Sequence, residues 1–88
     1  MIIIDASEFT NKKDTFVYLN KIFDFSSYVD NLDSLSDSLI EIEENLAIKN
    51  YSKAFENLGF YGQKILRVFM DKALEYNIAI DFYFKDRI

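Results

Sequence analysis

The sequence contains no cysteine, histidine, proline or tryptophan and only 2 glycines. Without cysteine there is no disulfide framework, no thiolate nucleophile and no thiolate-held zinc. Without histidine the usual general base at neutral pH and the commonest metal ligand are both missing. Bases are scarce as well. Against 15 acids stand 10 lysines and arginines, a formal net charge of -5, so the chain lacks the basic stripe by which proteins grip nucleic acid. No uncharged apolar run approaches the ~20 residues of a membrane helix. Residues Met1 to Ile4 are apolar, but Asp5 cuts the run too short for a signal-peptide core. The expectation is a cytoplasmic protein that touches neither membrane nor nucleic acid.

What remains is rich in apolar and aromatic side chains: 50% hydrophobic and 17% aromatic, a globular composition. A chain of 88 residues specifies one domain, residues 1–88. At that size folding buries about 60–65% of the unfolded surface, so the core is small.

Periodicity predicts the elements. The β-branched run Met1–Asp5 reads as a strand buried on both faces. Thr10 or Asn11 can cap a helix from about Lys12 to Phe23, with Phe16, Leu19 and Phe23 on one face. After the polar break 26–31 comes a second helix, Leu32 to about Glu43, with Asn31 as its cap. Residues 45–51 form a weaker strand, and 52–57 a short helical turn. Gly59 and Gly62 bracket a bend, a further helix spans about Gln63 to Tyr76, and Ile78–Phe84 closes as a strand. Phe9, Phe16, Phe23, Phe69, Phe82 and Phe84 belong to the core or a sheet face. Asp81 points to solvent or lies at an edge, and Lys85, Asp86, Arg87 and Ile88 form a loose tail. The intervals between strands suit helical crossovers and no hairpin signal appears, which predicts an α/β fold with a parallel sheet.

The charges are unevenly placed. Between Lys21 and Lys49 there is no base, while Asp24, Asp30, Asp33, Asp37, Glu41, Glu43 and Glu44 contribute -7; the remainder carries 10 bases against 8 acids. At roughly 100° per residue, Asp30, Asp33, Asp37, Glu41 and Glu44 fall within about an 80° sector of one continuous helix, opposite Leu32, Leu35, Leu39 and Ile42. Such spacing is repulsive, by roughly 0.2–0.5 kcal/mol per pair. A solvated face on an acidic protein is one explanation; a surface shaped to meet cations, from a metal or a basic partner, is the other. For a calcium loop the ligand spacing fails, because Leu32 and Leu35 intervene. For an enzyme there is no base to activate the serines and no sign of a cleft around paired acids. The chain reads as a non-enzyme with no cofactor and no metal.

The segment Tyr28-Val29-Asp30-Asn31-Leu32-Asp33-Ser34-Leu35-Ser36-Asp37-Ser38-Leu39 resembles the signature of the barstar family, Tyr-Gly-x-Asn-Leu-Asp-x-Leu-Trp-Asp-x-Leu. Tyr28, Asn31, Leu32, Asp33, Leu35 and Asp37 agree, with Leu39 following, and the layout of elements agrees over nearly the whole chain. The resemblance implies a small three-stranded parallel sheet packed against about four helices. It also implies an intracellular ribonuclease inhibitor, an immunity or antitoxin protein that plugs a nuclease active site with its second helix and the loop before it. On that resemblance, Asp37 takes the place of a substrate phosphate and Asp33 makes a second contact. Asn31 caps the helix, Tyr28 sits at the loop's edge, and Asp71 and Glu75 match acidic positions on the nuclease side. Asp30 and Glu41 complete the expected contact set. The partner implied is a basic ribonuclease or nuclease toxin, met by a chain that is a monomer when free. Three positions depart from the family pattern. Val29 stands where glycine is usual, a position suited to positive φ or close backbone approach. Ser36 replaces a bulky aromatic, and Ser27 the first tyrosine of a pair. The anionic surface is kept while the aromatic one is thinned. That keeps a second function open: a barstar-fold interaction or regulatory module whose partner is not a nuclease. For Asp71, a surface pair with Arg67 is the alternative to a contact role.

Overall fold

The computed structural model describes residues 1–84; the tail read from the sequence, residues 85–88, lies outside the described residues. Three strands, β1 (Ile2–Asp5), β2 (Leu46–Lys49) and β3 (Ile80–Tyr83), form one parallel sheet in the order β1-β2-β3. Four helices supply the crossovers: α1 (Lys12–Ile22) and α2 (Leu32–Ser38) before β2, then α3 (Ser52–Leu58) and α4 (Phe60–Tyr76) before β3. The α/β class expected from the sequence is the observed one.

The sheet register places Ile4, Ile48 and Phe82 side by side on one face and Ile3, Ala47 and Asp81 on the other. Central β2 is buried throughout Leu46, Ala47 and Ile48. Strand β1 is not buried on both faces, contrary to its continuous apolar run. It is an edge strand, and Ile3 points away from the helices with 42% of its surface exposed. Asp81, on the same face, is exposed as expected. The core fills the opposite face with Phe9, Phe16, Leu19, Phe23, Leu35, Leu39, Ile65 and Phe69. The rings of Phe23 and Phe69 stack at 6.1 Å between centroids. Burying each such side chain is worth roughly 1.5–3 kcal/mol. Phe84 is the exception among the expected core aromatics: it is exposed and only leans edge-on against Tyr51, at 5.9 Å.

Helix α1 starts where the cap allows. The Asn11 side chain accepts from the Asp14 amide at 2.8 Å, which settles the choice between Thr10 and Asn11. Helix α4 begins at Phe60, three residues before the expected start, so Gly62 lies inside the helix rather than in a bend. A Cβ on Gly62 would sit 2.0 Å from the Ala54 carbonyl oxygen of α3. Glycine is required there by close helix approach, and at Gly59 by a backbone φ of 58°. At its other end α4 stops on Asn77 in the left-handed conformation, an asparagine where glycine is commoner.

Candidate functional site

Helix α2 is short because its sequence stops favouring a helix. Ser34, Ser36 and Ser38 are modest helix formers. The acids that follow, Asp37, Glu41, Glu43 and Glu44, would crowd the negative end of the helix dipole. After Ser38 the chain tightens into a 3-10 turn, Leu39–Glu41, and Ile42 is already extended. The continuous helix to Glu43 expected from periodicity is therefore not formed, and the stripe of five acids divides. Asp33 and Asp37 stay on α2. Glu44 lies beyond the turn and meets the N-terminal ammonium of Met1 at 3.5 Å.

The N-terminal end of α2 is held by a reciprocal cap. The Ser34 amide donates to the Asn31 side chain at 2.8 Å, and the Ser34 hydroxyl accepts from the Asn31 amide at 3.3 Å. Asn31 thus has the capping role expected of it, and its side-chain amide also donates to Asp30 at 3.0 Å. Asp33 and Asp37 are exposed, and among the described residues neither has an ion-pair or hydrogen-bond partner.

The loop before α2 is anchored from two sides. Val29 is 1% exposed, a core residue. The Asn20 side chain of α1 accepts from the Val29 amide at 2.9 Å and donates to its carbonyl at 2.6 Å. Val29 is not among the described residues with positive φ, which are Asn50, Asn77 and Gly59, so the backbone here does not call for glycine. On the other side, the Glu41 carboxylate accepts from both the amide and the hydroxyl of Ser26. Glu41 is committed to holding the loop rather than standing free beside Asp37. Between these anchors Tyr28 projects outward, 63% exposed. With Asp30 it borders a depression lined also by Lys12, Lys13, Phe16 and Tyr61.

Asp71 borders a groove formed by α3, α4 and β3, and Glu75 pairs with Lys72 at 3.8 Å. The Arg67–Asp71 pair suggested by their spacing does not form. Tyr28, Asp30 and Asn31 thus stand in the loop before α2 and Asp33 and Asp37 on α2 itself, Glu41 holds that loop, and Asp71 borders the groove of α3, α4 and β3. Asn20, Ser26 and Ser34 were not expected from the sequence. Ser34 could have been, since it stands three residues after an asparagine cap.

The other polar cluster lies at the end of β1. Asp5 accepts from the Ser7 amide and hydroxyl at 3.0 and 2.7 Å and from Asn50 at 3.0 Å, and the Asp5 amide donates to the Tyr18 hydroxyl at 2.8 Å. Burial pushes the Asp5 carboxyl up, but the hydrogen bonds from Asn50 and Ser7 and the charge of Lys49 outweigh it and hold it below the usual carboxylate range. Burial raises the Tyr18 and Tyr61 hydroxyls. The Asp5 cluster ties β1 to β2 and has no unsatisfied group. Among the described residues no set of acids is arranged to hold a metal.

The chain matches no family model and no curated protein. The likeness of residues 28–39 to the barstar signature therefore enters the function as a proposal. Among the described residues no helix is long and apolar enough to cross a membrane.

Proposed function

We propose that this chain is a barstar-like inhibitor of a basic nuclease, acting by occlusion without catalysis or cofactor. The observation that carries the reading is the state of Asp33 and Asp37: exposed, unpaired among the described residues, and mounted on a helix whose start is fixed by the Asn31–Ser34 cap. A nuclease active site gathers positive charge to hold RNA phosphates. Carboxylates fixed on a rigid helix can fill the same positions. Burying them is tolerable only where each meets a cation with good hydrogen bonds, and a nuclease site provides such cations.

Rigidity supports the same reading. Asn20 and Glu41 hold the preceding loop at both ends, so little ordering remains to be done on docking. The seven acids between residues 22 and 48 have no base among them. That concentration of charge accelerates encounter with a cationic partner, and the acceleration weakens as salt rises. The groups expected to touch the nuclease are Tyr28, Asp30, Asn31, Asp33 and Asp37, in the compartment where such a toxin would be made, the cytoplasm. Asp71 and Glu75 belong to the contact set on the resemblance alone.

The test is capture of the partner from the source cell at low salt, followed by assay of the captured protein on RNA. A small basic protein that cleaves RNA when alone, and stops at one equivalent of this chain, supports the proposal. A non-nuclease as the main partner replaces it with the interaction-module reading, to which the exposed Ser27, where an aromatic anchor is usual, already lends some weight.

A further inference from the structure

An exposed apolar surface lies on α3, α4 and β3, and no residue of α2 lines its groove. A groove of about 690 Å³ is bordered by Tyr51, Phe55, Leu66, Met70, Leu74 and Phe82. It runs on into two shallower depressions, one sharing Met70, Leu74 and Phe82, the other sharing Phe55 and reaching Phe60. Leu74 and Phe60 are 82% and 81% exposed. Exposed apolar side chains spread from Phe60 to Leu74, about 21 Å along the helix axis, with Gln63, Arg67 and Asp71 among them, mark an association surface.

The charges on that face indicate what covers it. At 100° per residue, Gln63, Arg67, Met70, Asp71 and Leu74 share about a 100° sector of α4. Arg67 and Asp71 are opposite in sign and four residues apart. Their order, base before acid, is the less favourable one within a helix. Among the described residues neither has an ion-pair partner. An antiparallel second copy of α4, related by a two-fold axis passing beside Phe69 and Met70, sets Arg67 of each copy opposite Asp71 of the other and Met70 against Met70. One unpaired base and one unpaired acid, flanking an apolar stripe, are self-complementary in the way a two-fold interface requires. Repulsion between two acidic chains is small on this side, because α3 and α4 together carry four bases against three acids. The arrangement is also what interfaces favour, Met, Phe and Arg at an apolar centre with charge at its edge.

We infer that α4 and the neighbouring groove form the interface of a two-fold symmetric homodimer, with reciprocal Arg67–Asp71 pairs across it. This departs from the monomer expected from sequence. It does not rest on the nuclease reading: α2 does not line the groove, and Asp71, which the resemblance alone puts among the nuclease contacts, is here assigned to the dimer instead.

Sedimentation equilibrium on the full chain, from about 10 µM to about 1 mM, tests it across the range of weak interfaces. The wild type should move from one chain mass towards two. Leu74→Asp, at a position exposed enough to leave the fold intact by circular dichroism, should remain a monomer throughout. Arg67→Asp and Asp71→Arg should each raise the dimer dissociation constant about tenfold or more, and the double exchange should restore it to within about threefold. A wild type that stays monomeric at the highest concentration overturns the inference, even if the groove binds an amphipathic peptide. So does association that survives Leu74→Asp, or a double exchange as weak as the singles.

Discussion

Replacing Asn20 by alanine separates a loop held by the fold from a loop that merely lies against it. Asn20 satisfies both the amide and the carbonyl of Val29, at 2.9 and 2.6 Å, and donates a further bond to the Phe16 carbonyl at 2.6 Å. Val29 is a core residue, so its backbone cannot turn to water without drawing its side chain out. Leaving two such groups unpaired costs about 1–3 kcal/mol each. Partial access of water at Asn20 favours the low end, about 2–4 kcal/mol in all. Alanine recovers about 0.6 kcal/mol as the better helix former, which leaves a net loss of about 1.5–3 kcal/mol. For a domain of this size that lowers the melting temperature by about 6–24 °C. Urea denaturation gives the free energy, and hydrogen exchange at the Val29 amide shows whether the loop opens. The comparison with Asn20→Asp adds a sign. There the ionised carboxylate would face two carbonyls, so its folded pKa lies above the unfolded value near 3.9. Its stability should therefore be greatest below about pH 4 and fall as pH rises through the folded pKa. A loss under about 0.5 kcal/mol for Asn20→Ala, with exchange at Val29 unchanged, would refute the reasoning.

Gly62→Ala should cost about 3 kcal/mol or more, because the new methyl meets the Ala54 backbone at 2.0 Å. Gly59→Ala, strained by φ but in open space, should cost about 1–2 kcal/mol; equal losses in urea denaturation would contradict the close packing of α3 on α4. Asp5→Asn should reduce stability most above about pH 5. The folded pKa of Asp5 is depressed, so its contribution is present above the unfolded value near 3.9 and disappears as pH falls through the folded one. The gap between the two proteins' denaturation midpoints should accordingly close towards pH 2–3, and a constant gap would show that the carboxylate's charge is not involved.

Much of the fold could be read from the residues. Phe16, Leu19 and Phe23 mark α1, Ile65, Leu66, Phe69 and Ala73 mark α4, and the spacing of the apolar runs implies parallel strands. These features are local and periodic. The end of α2 was not legible, because 3.6-residue spacing continues in the sequence through Ile42 while the acids work against extending the helix. Ile3 and its open sheet face are hidden in the sequence for a related reason: an isoleucine run looks the same at an edge as at the centre. Asn20, Ser26 and Glu41 act across 9 to 15 residues of sequence, and nothing in their immediate surroundings signals the pairing. Asp33 and Asp37 were recognisable from charge and spacing. That neither has a partner among the described residues is visible only in the folded chain.

The central claim is that Asp33 and Asp37 of α2 substitute for nucleic-acid phosphates. Its most direct measurement is a calorimetric titration of the captured nuclease with wild type, Asp37→Ala and Glu56→Ala. Glu56 is a control on α3 whose carboxylate pairs with Lys53 at 3.6 Å. Removing one member of a buried ion pair costs about 3 kcal/mol or more. Asp37→Ala should therefore weaken binding by more than about a hundredfold at unchanged melting temperature, and Glu56→Ala by less than about twofold. Equal dissociation constants for the two variants would contradict it.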